Sequence, residues 1–549
     1  MSNRKCVFSL RPVQPDEVKD IVLSLKNTGS AGVDEINTRV VKLVIDQILP
    51  ALTHVINLSL STMAFPNLWK LAKVIPLFKK EDPLLAKNYR PVSLLPILSK
   101  VLEKVVFKQV MSYLDQNELL HPSHHGSRAD HSTTTAVIEM YEEWIEGIEN
   151  GEMAAVMMID LSAAFDLVNH NLLLKKLSVL GFDKNAVVWF WSYLTGRSQL
   201  VYVDGKMSDI KQVPIGVPQG SVLGALLYIL YTIDLPEVVH RLDHNCDTQV
   251  TPANETNFTK KCKECGNLCC YVDDSTFTYT SSCLVDITNT LTVKYQKLAE
   301  YFANNRLVIN HDKTHLVVMG TRKYDTKREE ISVDTGTLRI FPTESEKLLG
   351  INIHQSLKWG NHVITNKSSL LNRLTSRLNG LKYISKIASF KTRLMVANAC
   401  FMSILIYMIT IWGSTEEYIL NCVQLMQNKA ARCVTKLDRY TSIKTLLDQC
   451  NWLSVRQLIF YHSVLQIWKT KQTKKPDYIY SNLQTTNTRS SVDGNLKIPA
   501  RKTALASRSF MVRAVLHWNQ TPPEIRNCNT LNSLKKNLKE YVKQNVPLA

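Results

Sequence analysis

The stretch Cys269-Cys270-Tyr271-Val272-Asp273-Asp274-Ser275-Thr276-Phe277-Thr278-Tyr279 reads as a β-hairpin. An apolar run enters, two adjacent carboxylates sit at the tip, and an alternating Thr/aromatic run leaves. Asp-Asp suits a tight turn, because both side chains can accept hydrogen bonds from local backbone N–H groups, and standing alone it is an ordinary turn. A functional reading needs a third carboxylate from elsewhere. A site for two divalent cations in phosphoryl transfer uses several oxygen ligands, which repel one another unless cations lie between them. Asp160 is the candidate. Residues 154–159 form a continuous apolar run, the pattern of a strand buried in a sheet, and deliver Asp160 at its end. Leu161-Ser162-Ala163-Ala164-Phe165-Asp166 comes next. A carboxylate at that place serves as a metal ligand or, equally commonly, as a helix cap.

Around this stretch, 549 residues exceed one hydrophobic core and correspond to roughly three or four domains of ~100–200 residues. Lys plus Arg exceed Asp plus Glu by 18, and the sequence pI is near 9.2. Such an excess favours a polyanionic partner over a neutral substrate. Its spread over the N-terminal third and the C-terminal half suits a nucleic-acid channel better than a solubilising tail. Twelve irregularly spaced cysteines, with no secretory signal at Met1-Ser2-Asn3-Arg4-Lys5, point to a reducing compartment. The sequons at Asn254 and Asn257 are then chance matches. The apolar run 394–412 approaches the length of a membrane span, but it contains Asn398, Ser403 and Thr410 and has no second span beside it. A buried helix is expected there, and no membrane partner.

Taken in order, a helix is expected from Pro15, a second over 38–49 stopping at Pro50, and a third over 51–63. Two strand-like runs, near Val74 and Val92, flank a loop carrying Lys79, Lys80 and Arg90, which reads as a basic flap over a triphosphate or as a solvated hairpin. His124-His125-Gly126-Ser127-Arg128 adds a loop cation, and Ser132 caps a helix to about 148. Phe165 is core or a wall against a sugar 2′ position. A helix over 171–180 comes after it. In Gly216-Val217-Pro218-Gln219-Gly220-Ser221 two glycines let backbone approach a planar ligand, Gln219 offers an amide, and Ser221 caps a helix over 222–231. Residues 236–268 read as an aperiodic insertion. There Cys262-x-x-Cys265 has zinc-knuckle spacing, with further ligands to be drawn from His244, Cys246, Cys269 and Cys270, although the last two read more simply as strand residues. A helix over 287–304 leads to Lys313, a proton donor, a phosphate contact or a surface lysine. Residues 361–436 are helical and basic, including Lys367, Arg373, Arg377, Lys382, Lys391, Arg393 and the run Gln424 to Arg432. Amides and cations on one helix side track a phosphate backbone or form a solvated face. Residues 470–510 look like a linker, and a basic helix runs to 544.

Asn88-Tyr89-Arg90-Pro91-Val92-Ser93-Leu94-Leu95, Asp160 through Phe165, Gly216 through Ser221, Tyr271-Val272-Asp273-Asp274, Asn310 with Lys313-Thr314, and Leu348-Leu349-Gly350 stand in the order of the reverse transcriptase motifs. They most resemble those of jockey-type non-LTR retrotransposons (LINEs), over about residues 60–360. The segment through Trp518-Asn519 and Pro522 is similar to the region downstream of the polymerase in those elements. The resemblance implies an α+β right-hand fold with an N-terminal helical lead-in (1–60), fingers (61–150), a palm of antiparallel sheet plus helices (151–355, insertion 236–268), a helical thumb (356–450) and a basic C-terminal region (451–549). It implies Asp160, Asp273 and Asp274 as ligands of two Mg²⁺ ions, with zinc at Cys262 and Cys265 as a lesser expectation. Lys79, Lys80, Arg90 and Arg128 meet the nucleotide, Phe165 is a steric gate for deoxynucleotides, Gln219 touches template and nucleotide, and Lys313 lies near the phosphates. The partners implied are an RNA template, a DNA primer and dNTPs, in a ribonucleoprotein of nucleus and cytoplasm. This sequence departs from the pattern at Val272, where Ala is usual, and at Ser127, where Phe is usual, which unsettles the placement of Arg128. The endonuclease such elements encode upstream is expected to be missing, which makes retrotransposition by this chain alone doubtful. Two other readings stand beside this one. An RNA-dependent RNA polymerase shares the carboxylates but usually has Asp where Phe165 stands, and a catalytically silent relic only binds nucleic acid.

Overall fold

The computed structural model describes residues 7–79, 82–240, 265–320, 328–336, 338–485 and 494–548. It is a mixed α/β protein. The strand order in its four-stranded sheet is His315–Met319, Met153–Ile159, Asp274–Ser281, Asn267–Tyr271. Every residue of Met153–Ile159 is buried, as its uninterrupted apolar sequence demands of a strand covered on both faces. It pairs antiparallel with His315–Met319, Val156 opposite Val317.

The chain divides into two compact units. One comprises Met1–Ser127, Ile159–Ser275 and Lys294–Lys313. Its first helix, Pro15–Ser24, opens with proline at the position where a missing N–H is harmless and buries Val18, Ile21 and Val22. The next two helices are Thr38–Leu43 and Ile45–Ser61. The break therefore falls at Val44, and Pro50 does not stop the helix as the sequence suggested. Pro50 is exposed, so its lost hydrogen bond opens toward solvent, while Ile45, Leu52, Ile56 and Leu60 keep one buried stripe across it. A second sheet places Leu71–Phe78 antiparallel to Tyr89–Leu94, with Leu77 opposite Arg90, and parallel to Ser198–Val203. Helices Ile97–Gln116, His170–Val179 and Lys184–Leu194 pack in this unit, the last two capped by Asn169 and Asp183. The expected insertion begins later than 236, because Leu235–His240 is helical.

The other unit comprises Arg128–Met158, Thr276–Val293 and Thr314–Ala549. Thr133–Glu149 starts with Ser132 in a capping box. The run 394–412 is not one helix. Phe390–Ala397 passes into a π-helical turn, Asn398–Met402, and the chain breaks where Met408 takes a left-handed φ of 52° before Ile409–Trp412. Tyr407 is held there: its hydroxyl donates to the Leu349 carbonyl (2.6 Å), and Trp412 Nε1 donates to the Tyr407 carbonyl (3.0 Å). No helix among the described residues is long and apolar enough to cross a membrane. In Glu417–Thr435 the amides expected to face a phosphate backbone turn inward. Gln424 Nε2 donates to Gln427 and Asn428, Gln427 Nε2 to the Leu453 carbonyl, and Gln424 Oε1 accepts from Val455 N–H, the opening amide of helix Val455–Thr473. Arg393 is likewise spent inside, on the carbonyls of Val434 and Ala388 that end two helices. The expected linker is tied down in its described part: Arg501 pairs with Glu142 (2.9 Å) and Glu149 (3.3 Å), and Glu149 accepts from the Lys502 and Thr503 amides. The final basic helix, Leu531–Asn545, buries Leu534, Leu538 and Val542.

Candidate active site

Asp160 comes directly after the buried strand Met153–Ile159, and its carbonyl accepts from Asn310 N–H at 2.8 Å. The short pairing of Leu161 with Ile309 holds the two segments together. The 3₁₀ turn His311–Lys313 then brings Lys313 Nζ to 3.5 Å from Asp160 Oδ2. Both side chains stay partly exposed, so this ion pair orients more than it stabilises.

Asp273 lies in the hairpin turn and Asp274 opens the outgoing strand. The turn is made by Val272, whose φ is 60°, a left-handed conformation that a β-branched residue adopts only when its surroundings impose it. Those surroundings are residues 123–126. Cys270 N–H donates to the Ser123 carbonyl (2.8 Å) and His125 N–H to the Cys270 carbonyl (2.9 Å). Gly126 lies so close that a Cβ there would meet Val272 Cγ2 at 2.5 Å and the Val272 amide nitrogen at 2.8 Å. The sequence offered no sign of this role for Gly126 beyond its place in the run His124–Arg128.

The electrostatics tie the carboxylates together. Burial, and then the charge of Asp160, raise the Asp273 carboxyl above the usual range, against its own backbone N–H, Arg90 and Lys79. Asp274 is pushed up to about 6 by the protein packed around it and by the charges of Asp273 and Asp160, although part of its side chain still reaches solvent. Lys79 acts on both carboxylates and Arg90 on Asp273, from the hairpin Leu71–Phe78 and Tyr89–Leu94, where the sequence put a basic flap. Lys80 falls outside the described residues. Arg128 belongs to the other unit, where its charge acts on His131. Ser127 before it is left-handed, with φ 54°.

Phe165 and Gln219 are held by neighbours to which the sequence assigned no role. The Phe165 ring packs on buried Tyr228, centroids 5.3 Å apart at 35°, and the charge of Asp273 adds to burial in raising the Tyr228 phenol. Gln219 Nε2 donates to both oxygens of Asp166 (3.3 and 3.2 Å), whose carboxyl burial raises and this bond lowers. The loop around Gln219 is clamped at both ends. A Cβ on Gly216 (φ 85°) would strike the Asp166 carbonyl oxygen at 2.7 Å, and one on Gly220 (φ 116°) the Ser93 carbonyl oxygen at 2.6 Å. Ser221 does not cap the next helix alone. The helix is Gly224–Tyr231, and buried Glu103 accepts from the Val222 and Leu223 amides (2.7 and 3.2 Å) while Ser221 Oγ takes Gly224 N–H.

Among the described residues no group of three or more His, Cys, Asp or Glu side chains converges tightly enough to hold a metal ion. The donor chemistry of Asp160, Asp273 and Asp274 nevertheless fits a hard divalent cation: the charge of Asp160 acts on the other two and that of Asp273 on Asp274, and both Asp273 and Asp274 are destabilised as anions. Of the zinc-knuckle pair, Cys262 lies outside the described residues and Cys265 is buried. Cys269 and Cys270 are buried strand residues, as their simpler reading had it.

Residues 78–353 match the family described as reverse transcriptase (RNA-dependent DNA polymerase). The chain is 26% identical over 461 residues to the probable RNA-directed DNA polymerase from transposon BS of Drosophila melanogaster, covering 83% of this chain and 48% of that protein. It is 27% identical over 432 residues to the RNA-directed DNA polymerase from mobile element jockey of the same species, covering 78% of this chain and 45% of the relative. To the probable RNA-directed DNA polymerase from transposon X-element it is 26% identical over 468 residues, 83% and 48%. The chain thus spans about half the length of these curated relatives.

Proposed function

Since the chain belongs to the reverse transcriptase family, beside the enzymes of jockey-like non-LTR retrotransposons, we propose that it extends a DNA primer on an RNA template by nucleotidyl transfer. The observation that carries this reading is that the charge of Asp160 acts on both Asp273 and Asp274, and that of Asp273 on Asp274, met by Lys79 and, at Asp273, by Arg90. The family generally works with divalent metal ions, and here the three carboxylates would hold two Mg²⁺. When bound, these ions lower the pKa of a primer 3′-hydroxyl and balance the charge of the departing pyrophosphate.

The chain's own groups do the positioning, which supplies most of the catalysis in such chemistry. Lys79 and Arg90 offset triphosphate charge. Phe165, backed by Tyr228, stands against the sugar and disfavours a 2′-hydroxyl. Gln219, held by Asp166, presents its loop to the base pair being formed, and Lys313 steadies Asp160 and lies ready to meet a phosphate. In this reading the region 61–150 serves as fingers, 151–355 as palm, 356–450 as thumb and 451–549 as an accessory basic region. The product works as a ribonucleoprotein in cytoplasm and nucleus.

The test is primer extension by the purified chain on a primed RNA template with Mg²⁺, with dNTPs and NTPs in parallel. Extension with dNTPs that disappears in Asp273→Asn supports the proposal. RNA binding without extension makes the chain a silent binder, and preference for NTPs makes it an RNA polymerase.

A further inference from the structure

Helix Leu284–Asn304 buries Tyr295, Leu298 and Phe302 on one side, each at most 1% exposed. Of the three only Tyr295 carries a polar atom, and a phenylalanine would bury the same ring without the cost of a hydroxyl. That hydroxyl has its partner outside the core. It shares a hydrogen bond of 3.0 Å with Nδ1 of His311, an exposed residue, the two rings lying 6.4 Å apart at 50°. Burial pushes the Tyr295 phenol up to about 12, so it stays a neutral hydroxyl at any working pH.

His311 opens the 3₁₀ turn His311–Lys313, and Lys313 closes it. Two backbone bonds join this turn to Asp160: Asn310 N–H donates to the Asp160 carbonyl at 2.8 Å, and Lys313 N–H to the Asn310 carbonyl at 3.2 Å. The bond between His311 and Tyr295 ties the same turn, through a side chain, to the helix. With a rise of about 2 Å per residue, His311 and Lys313 lie about 4 Å apart along the turn and shift together. Lys313 Nζ stands 3.5 Å from Asp160 Oδ2, and 48% and 35% of the two side chains are exposed. So open an ion pair does not by itself hold a flexible four-carbon stem in place. The ammonium is placed by the turn, and the turn by its ties to Asp160 and to Tyr295.

We propose that Tyr295 and His311 are positioning residues for Lys313, holding the turn so that the ammonium stays beside Asp160. Their part in the reaction rests on the polymerase reading of Asp160 and Lys313, and two readouts keep the two ideas apart. The first needs no activity: in the full chain without nucleic acid, hydrogen exchange of the peptide spanning 308–314 should quicken at least about fivefold in Tyr295→Phe and in His311→Leu, while the strand His315–Met319 exchanges as before. The second is single-turnover addition of one dNTP on a primed RNA, followed for hours so that slow variants stay measurable. Tyr295→Phe and His311→Leu should each lower the rate by about 3- to 10-fold with affinity for the primed RNA unchanged, and His311→Gln, which keeps an acceptor for the phenol, should stay within about twofold. In a Lys313→Met background Tyr295→Phe should have no further effect, because the residue through which it acts is gone. Unchanged exchange overturns the proposal, and so does a Tyr295→Phe loss that persists in full in Lys313→Met, which would make the hydroxyl a packing group only. Faster exchange in a parent chain that extends no primer supports the tie and overturns the polymerase reading instead.

Discussion

Substituting Gly126 by alanine tests whether the segment 123–126 sets the position of the carboxylates in the turn at Val272–Asp273. The new methyl would sit 2.5 Å from Val272 Cγ2 and 2.8 Å from the Val272 nitrogen. Neither neighbour yields easily, since valine is stiff about χ1 and the nitrogen is backbone. To regain ordinary carbon contact the turn must retreat by about 0.6 to 0.9 Å, with an overpacking cost of about 1–3 kcal/mol. Asp273 is next to Val272 in the chain, so the retreat is passed to its carboxylate, which the proposed reading makes a metal ligand. A displacement of order 1 Å at a reacting centre costs about 10²-fold in rate. Single-nucleotide extension on a primed RNA with saturating Mg²⁺ should therefore show turnover down by about 30- to 100-fold, with the melting temperature lowered by only a few degrees. Adding Val272→Ala removes the methyl clash and leaves the one with the amide, so the double variant should recover part of the rate and not all of it. If Gly126→Ala extends primers within twofold of the parent and melts at the same temperature, the seat is not tight and the reasoning fails.

Asp273→Asn should lose extension by about 10³-fold or more and yet raise the melting temperature without divalent ions, because one of three repelling carboxylates is gone; calorimetry in EDTA and in Mg²⁺ reads both signs. Phe165→Val should reduce the preference for dNTPs over NTPs by about 10- to 100-fold, seen as ribonucleotide incorporation on the same template. Arg501→Met takes the guanidinium from half-buried Glu142 and Glu149 and should cost about 1.5–3 kcal/mol, visible as an early step in urea unfolding. Buried His362 and His462 are held down to about 4 and His517 to about 3, by burial first and then by neighbouring cations. Their folded pKa values lie below the unfolded value near 6.5, so the unfolded chain takes up protons first. Their contribution is complete above pH 6.5 and is lost as pH falls toward 4, by about 1.4 kcal/mol per pH unit for each histidine. At His362 the Nδ1 also accepts Asn352 N–H at 3.2 Å, a bond lost when that nitrogen is protonated. A melting temperature that stays level from pH 6.5 to 4.5 would contradict this.

The strand, turn and carboxylates were legible because each is written locally: an apolar run must be covered, and an acid at its end must face something polar. Phe165 and Gln219 stood out as candidates for the same reason. Their supports, Tyr228 and Asp166, did not, because a tyrosine in an apolar helix and an aspartate after a phenylalanine have many uses that only packing distinguishes. The amides of Gln424, Gln427 and Asn428 misled in the opposite direction: a polar helix side usually faces solvent, but here it closes the start of another helix. Pro50 misled because propensity was weighed without the buried stripe on either side of it. Glu103 was unreadable altogether, since a carboxylate capping a helix more than a hundred residues later leaves no trace in spacing.

Among the described residues the strand Asn267–Tyr271 ends its sheet, and an uncovered border of backbone amides and carbonyls is an invitation to strand addition by another chain. The hydrogen bonds that Ser123 and His125 make to Cys270 occupy that border beside the acidic turn. The contact that fixes the turn therefore also discourages aggregation through it, and His125→Pro, which removes the N–H that bonds the Cys270 carbonyl, should lower the soluble fraction on expression.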